Sequence, residues 1–338
     1  MSLTNRWVLM RNRNDGLLIN PSGEGVACDW EYTRTLHLCD VFPVAGCSLL
    51  RRALRDYPIH LQDRPCFVNS RQCCSHHPID ESALPEVSFL IGHRGVERLP
   101  LLLCTLRSIA AQTQNRFECI VIEQSAVSEI HDALPSWVRY QHQPVDAGIP
   151  YNRSATFNLA AKSARAPLLI FHDNDLVIPT CYSKEALVRF KQGCEVINLK
   201  RFIFYLGKAP IADFSDFMVA DRLPVDTVLQ NTTGGGSIVI SAAAFHEIGG
   251  FDEDFVGWGG EDVEFWDRCQ SRKVWHYTYL PLIHLWHSPQ PGKRAVRGLG
   301  ALTAELAEQR MALPVEMRIS ELRRRGKGTT CWKGKSAQ

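Results

Sequence analysis

The sequence predicts an α/β protein: a mostly parallel sheet flanked by helices, preceded by a small α+β module. Three observations predict it. Beyond residue 85, short apolar runs alternate with stretches of helical spacing. Those runs are apolar throughout rather than every second residue, as strands buried on both faces are. The third of them ends in acidic residues, where the carboxyl ends of parallel strands usually meet a ligand.

The elements follow in order. Glu86 to His93 ("EVSFLIGH") reads as a buried strand, and Leu99 to Thr113 as a helix with Pro100 suited to its first turn. Phe117 to Ser125 is a second strand, Asn152 to Ala164 a second helix, and Ala166 to Asp175 a third strand. Strand–helix–strand order of this kind puts helices on both faces of a parallel sheet. Further on, "SIVIS" at 237–241 reads as a strand, and "AAAFHEIGG" at 242–250 as a short helix ended by glycine.

The segment before the sheet differs in character. Trp7–Arg11 and Gly16–Asn20 read as short strands joined by Asn14, Asp15 and Gly16, a hairpin-type turn, and "GCSLLRRALRDY" at 46–57 as a helix. The polar stretch His76 to Glu86, with two prolines, reads as a linker. The expected divisions are 1–80, a small module; 81–310, the α/β domain; and 311–338, a basic C-terminal tail. Basic residues gather in that tail from Arg323 to Lys335, and such runs are commonly solvated. A phosphate-binding role or a peripheral membrane contact is the functional alternative.

Composition bounds the rest. The chain has 338 residues and a formal charge of +2, which gives no reason to expect nucleic acid as a partner. No run is long and apolar enough for a membrane span, and the N-terminus lacks a signal-peptide core. Twelve cysteines are scattered rather than arranged as a disulfide framework, so a reducing cytoplasm is expected. Between Cys66 and His77, Cys73, Cys74, His76 and His77 are crowded together and only Cys66 stands apart. They lack the separated pairs of a structural zinc site, so buried thiols in a polar loop is the plainer reading.

Four stretches carry chemistry. Asp173 and Asp175 follow an apolar run, and two carboxylates one residue apart at a strand end can share Mn²⁺ or Mg²⁺, one of them indirectly. A plain turn would also favour aspartate there. Gly234, Gly235 and Gly236 allow close backbone approach to a ligand, but no Lys-Ser or Lys-Thr follows, so this is not a P-loop. In "GWGGEDVEFWDRC" a helix is expected to begin near Glu261, with Phe265 and Cys269 on its buried side. Glu261, Asp262 and Glu264 then lie in the first turn, where free N–H groups stabilise carboxylates. Helix capping accounts for the acids but not for Trp258 beside Gly259 and Gly260. A flat aromatic with a carboxylate behind it suits a sugar and its hydroxyl proton. Finally, His284 and His287 follow a run that could return to the sheet, and spacing alone leaves them structural or metal-binding.

Taken together, "LIGHRGVERL", "YNRSATFNLAAKSA", "LLIFHDNDLVIP", "GGFDEDFVGWGGEDVEF" and "HSPQPGK" resemble, in order, the motifs of β1,4-galactosyltransferases and bacterial chondroitin polymerases. The resemblance runs from Pro85 to Lys293, and Gly-Trp-Gly-Gly-Glu-Asp is its most specific part. It implies a GT-A fold and metal-dependent, inverting transfer of a hexose or N-acetylhexosamine from a UDP-sugar to a saccharide or peptide acceptor. Residue by residue, it places Arg94, Arg153, Asp173, Gly235 and Trp258 by the donor nucleotide. It makes Asp175 the direct metal ligand, with Asp173 beside it and His287, rather than His284, as the late histidine. It puts Trp258, Gly259, Gly260 and Glu261 at the acceptor, and Asp262 as the base. Val263 departs from the family, which commonly has an acid or amide there. No membrane anchor precedes the domain, unlike Golgi members, so a bacterial cytoplasmic enzyme is expected. The rivals are a nucleotidyltransferase, for which "IGHRGVER" is a poor triphosphate loop, and a sugar- or peptide-binding scaffold, which would need no base.

Overall fold

The computed structural model describes residues 84–179, 181–208, 225–230, 234–257, 259–275, 280–288 and 299–326. It also describes one short antiparallel pair, Leu18–Ile19 with Val26–Ala27. That pair keeps part of the strand expected at Gly16–Asn20 but joins it to a later segment. The strand expected at Trp7–Arg11, the helix at 46–57, the Cys66–His77 cluster and the tail beyond Gly326 lie outside the described residues.

The central sheet has seven strands. β1 (Val87–His93), β2 (Phe117–Ser125), β3 (Val138–Pro144) and β4 (Leu168–His172) come first in the chain, followed by β6 (Val196–Ile197), β9 (Ser237–Ser241) and β10 (Val274–Trp275). Their spatial order is β10-β6-β9-β4-β1-β2-β3. β1 pairs in parallel with both β2 and β4, and β2 in parallel with β3, whereas β9 runs antiparallel to β4 and β6. A smaller sheet of order β8-β7-β11-β5 is made by β5 (Leu176–Val177), β7 (Lys200–Leu206), β8 (Val225–Gln230) and β11 (Leu280–His284).

Helices cover both faces of the large sheet. α1 (Leu99–Ala110) and α3 (Tyr182–Lys191) pack on one face, and α2 (Arg153–Ser163), α4 (Ala242–Glu247) and α5 (Glu261–Cys269) on the other. The strand period of two explains the division. Val87, Phe89 and Ile91 of β1 join one core cluster while Leu90 joins the other, and Leu168 with Ile170 face away from Leu169 with Phe171 in β4. Both sides are apolar, hence the continuous hydrophobic runs. This is a GT-A-type arrangement.

Helix boundaries follow local chemistry. Asn152 caps α2 by accepting from the Ala155 N–H at 2.9 Å, and Ser241 caps α4 in the same way at 3.1 Å. α5 is anchored by Phe265, fully buried and stacked on Phe251 with ring centroids 3.9 Å apart. Truncating Phe265 to alanine costs about 3–5 kcal/mol by the usual scale for buried aromatics.

β3 was not anticipated. It is an edge strand whose residues after Val138 are half-buried or exposed, so it lacks the apolar run of its neighbours. The start of the expected basic tail is also different. α6 (Leu299–Met311) is followed by α7 (Val315–Gly326), with Arg318 and Leu322 buried. Arg318 donates to Glu264 of α5 at 3.0 Å, and Arg325 pairs with Asp252, Asp254 and Glu321. Partnered by carboxylates, these arginines dock a helix instead of trailing in solvent. Arg323 and Arg324 are exposed. Among the described residues, no helix is long and apolar enough to cross a membrane.

Candidate active site

β4 ends at His172, which leaves Asp173, Asn174 and Asp175 in the turn leading to β5. Three contacts fix that turn. The Asp173 N–H donates to the Gly236 carbonyl at 2.8 Å, and the Gly236 N–H donates to Asp173 Oδ2 at 3.1 Å. Asn174 donates to Nδ1 of buried His93 at 2.9 Å, while His93 Nε2 lies 3.0 Å from the Gly95 carbonyl. A carbonyl only accepts and an amide nitrogen only donates, so the ring must be neutral with its proton on Nε2. Burial pushes its pKa down to about 4, consistent with that state.

The glycine turn joins this strand end to α5. Gly235 has φ +50°, and a Cβ placed there would lie 2.7 Å from Asp262 Oδ2, while one on Gly234 would meet Asp262 at 3.2 Å. A side-chain-free turn therefore lies between Asp262 and Asp173, touching both. Tyr205 records the same convergence. Burial, then the negative charge of Asp173, Asp175 and Asp262, raise its pKa to about 12.

Arg153, at the start of α2, links the acids. Its Nε donates to Asp173 Oδ1 at 2.9 Å, and its Nη1 lies 3.4 Å from Glu261 Oε1. Burial opposes charge on Asp173, but Arg153 outweighs it and holds the carboxyl below its ordinary value. Glu261 shifts the other way, because burial and the neighbouring Asp262 charge outweigh the pull of Arg153. Asp262 is half-buried, with Oδ1 accepting from the Val263 N–H at 2.8 Å. Lys200 is fully buried nearby and donates to the Ser237 carbonyl. Burial lowers its pKa to about 7, partly offset by Asp262 and Asp173.

Gly260 caps α5 with φ +91°, and a Cβ there would meet Phe255 at 2.9 Å and the Thr303 carbonyl at 3.0 Å. Glycine is the residue that fits both the dihedral and the space. Gly259 precedes it, also at positive φ. Trp258 lies outside the described residues.

Asp175, His284 and His287 each present a ligating atom within 4.8 Å of the others. His287 Nε2 is 3.3 Å from Asp175 Oδ2, and His284 Nε2 is 3.7 Å from Asp175 Oδ1. Tyr205 stacks on His284 at 4.2 Å and fixes its ring. One carboxylate with two imidazoles fits Mn²⁺ better than Mg²⁺, which prefers an all-oxygen shell. Asp173 stands outside this cluster, its two oxygens taken by Arg153 and the Gly236 N–H.

Sequence reasoning ranked one residue here second and missed another. His284 was set behind His287, yet both face Asp175, because β11 pairs antiparallel with β5 and sets His284 opposite Leu176. Arg98 was missed altogether. It donates to Asp175 Oδ2 at 3.2 Å and lies 3.0 Å from His287 Nδ1. Nothing in its neighbours marked it, since it reaches the site only through folding. Arg94, expected beside the nucleotide, donates to the Gln124 carbonyl and the Ile149 carbonyl, both at 2.6 Å, and so ties the loop before α2 to the end of β2.

Residues 224–281 match the family model described as the N-terminal domain of galactosyltransferase, a span that holds the glycine turn, Glu261 and Asp262. Validoxylamine A glucosyltransferase of Streptomyces hygroscopicus subsp. jinggangensis is 27% identical over 215 residues, 52% of this chain and 50% of that protein. Mouse beta-1,4-galactosyltransferase 5 is 27% identical over 192 residues, 55% of this chain and 38% of that one. The chain is similar to glycosyltransferases. An O-antigen biosynthesis protein of Myxococcus xanthus is also related, 26% identical over 222 residues, 59% of this chain and 17% of that protein. The chain spans about half the length of the validoxylamine glucosyltransferases it matches.

Proposed function

We propose that this chain is a divalent-cation-dependent, inverting glycosyltransferase that moves a hexose or N-acetylhexosamine from a UDP-sugar to a hydroxyl of a saccharide or peptide acceptor. One observation carries the reading: the Gly234–Gly236 turn touches Asp262 on one side and Asp173 on the other, two residues from the Asp175, His284 and His287 cluster. In this reading the base and the cation-binding cluster lie on either side of one glycine turn.

In this reading Asp262 accepts the proton of the acceptor hydroxyl as its oxygen bonds to the anomeric carbon. The bond from that carbon to the β-phosphate oxygen breaks, and its electron pair leaves with UDP. Asp262 suits the role better than Glu261, which is buried against Arg153. Glu261, held by that contact, can orient the acceptor hydroxyl. A cation held by Asp175, His284 and His287 would neutralise the diphosphate and stabilise charge on the leaving UDP. The glycine turn lets the Asp262 carboxylate lie directly against backbone, because a side chain on Gly235 would displace it.

The test is UDP release from a panel of UDP-sugars with Mn²⁺, repeated with Asp262→Asn. The variant is expected to bind UDP as before and to lose turnover by roughly 10²-fold or more, the usual contribution of a general base. Near-normal turnover would remove Asp262 from that role, and no release with any UDP-sugar would overturn the transferase reading.

A further inference from the structure

Arg98 has no part in the chemistry above, yet it sits inside the candidate cation cluster. It ends a single 3-10 turn, Val96–Arg98, immediately before α1, and its backbone is held by the Arg98 N–H donating to the Gly95 carbonyl at 3.2 Å. Its side chain is only 18% exposed. Its guanidinium spans Asp175 Oδ2, at 3.2 Å, and His287 Nδ1, at 3.0 Å.

A guanidinium can only donate, so this contact needs a lone pair on His287 Nδ1. The same nitrogen lies 2.8 Å from the Ser288 carbonyl, which can only accept and so needs a proton there. The two contacts exclude each other. With Arg98 engaged, the His287 proton sits on Nε2 and points toward Asp175. With Ser288 engaged, Nδ1 carries the proton and Nε2 turns a lone pair toward Asp175. Only the second arrangement suits a metal ligand, whose other ring nitrogen normally donates to a carbonyl or carboxylate. Charge acts in the same direction, because a guanidinium and a divalent cation repel at one carboxylate.

Building on the function proposed above, we propose that Arg98 and a divalent cation compete for Asp175 and His287, and that Arg98, once released, binds the donor diphosphate. Its planar fork matches phosphate oxygens, and its release point adjoins the cation cluster. Arg98 then ties cation binding to donor binding. While it holds Asp175 and His287, only the fraction of molecules with Arg98 withdrawn accepts the cation, so the apparent affinity is reduced by that fraction.

The experiment is calorimetric titration of the full chain with Mn²⁺ alone, then with UDP at saturating Mn²⁺, for the wild type, Arg98→Gln, Arg98→Lys and Asp175→Ala. Arg98→Gln is expected to bind Mn²⁺ about tenfold more tightly without nucleotide, and UDP about tenfold or more weakly. Arg98→Lys keeps the charge but not the fork, so its Mn²⁺ affinity should lie between the two and decides the question if Arg98→Gln does not fold. Mn²⁺ affinity in these variants equal to or weaker than wild type overturns the competition, and unchanged UDP affinity overturns the diphosphate role. Asp175→Ala separates the two levels. If it abolishes Mn²⁺ binding while the Arg98 variants match wild type, only the Arg98 proposal fails. If it leaves Mn²⁺ binding intact, the cation site itself is wrong and the Arg98 proposal falls with it.

Discussion

Gly235 and Asp262 meet so closely that a single methyl group would not fit between them. A Cβ on Gly235 would lie 2.7 Å from Asp262 Oδ2. Gly235→Ala is therefore expected to push the Asp262 carboxylate aside and to strain a backbone already at φ +50°. The strain costs about 1–2 kcal/mol, whereas misplacing a reacting group typically costs roughly 10²-fold in rate. Turnover should fall far more than stability. Initial rates beside a thermal melt check this, and a variant with unaltered turnover would show that the turn does not set the Asp262 position.

Residue His284 faces Asp175 as His287 does. His284→Ala should weaken Mn²⁺ binding by at least about tenfold, the lower end of what removing support from a metal site costs. Asp173→Asn should stay closer to wild type, since both its oxygens already have partners in Arg153 and Gly236. Calorimetric titration with Mn²⁺ distinguishes the pair. The reverse order of affinities would put Asp173, not His284, in the ligand set.

For His93 the pH dependence has a definite sign. Its folded pKa, about 4, is below the ordinary value of 6.5, so the unfolded chain binds more protons between those limits. Stability is unaffected by this group above about pH 6.5 and declines as pH falls to about 4, by on the order of 3 kcal/mol in all. Protonating Nδ1 also removes the acceptor for Asn174, which holds the turn between Asp173 and Asp175. His93→Gln cannot titrate, so its urea midpoint should fall less than the wild-type midpoint between pH 7 and pH 4.5. Parallel falls would refute the assignment.

Glu264 is shared by two buried guanidiniums. Arg268 donates to both its oxygens at 2.7 Å and Arg318 to one at 3.0 Å, and all three side chains are at most 2% exposed. Removing the carboxylate leaves two buried cations short of charge. Glu264→Leu is therefore expected to cost about 3–5 kcal/mol, read as a lower denaturant midpoint. It should also loosen α7 from the helix bearing Glu261 and Asp262. A midpoint within experimental scatter of wild type would mean that the network adds nothing net.

How legible all this is in the sequence varies by element. β2 and β9 appear with the bounds that their apolar runs define, because a strand buried on both faces leaves an unbroken signal. α5 begins at Glu261 with Phe265 and Cys269 buried, as its glycines and apolar spacing imply. β3 is not visible, since an edge strand needs few apolar residues. The smaller sheet is likewise not visible, because its strands are joined by pairings between distant parts of the chain. Arg318 and Arg325 look solvated in sequence; Glu264, Asp252 and Asp254, which pair with them, lie more than fifty residues away.

The sequence by itself determined which segments would be strands and helices at the core of the sheet, since periodicity and capping act over a few residues. It also determined which acids would stand at the end of β4 and at the start of α5. Only the tertiary structure decided which of them face one another. It set both His284 and His287 on Asp175, engaged Arg94 with backbone carbonyls, and carried Arg98 into the cation cluster. Those outcomes depend on strand register and on side chains reaching across 77 to 189 residues of chain, and such distances leave no trace in local composition.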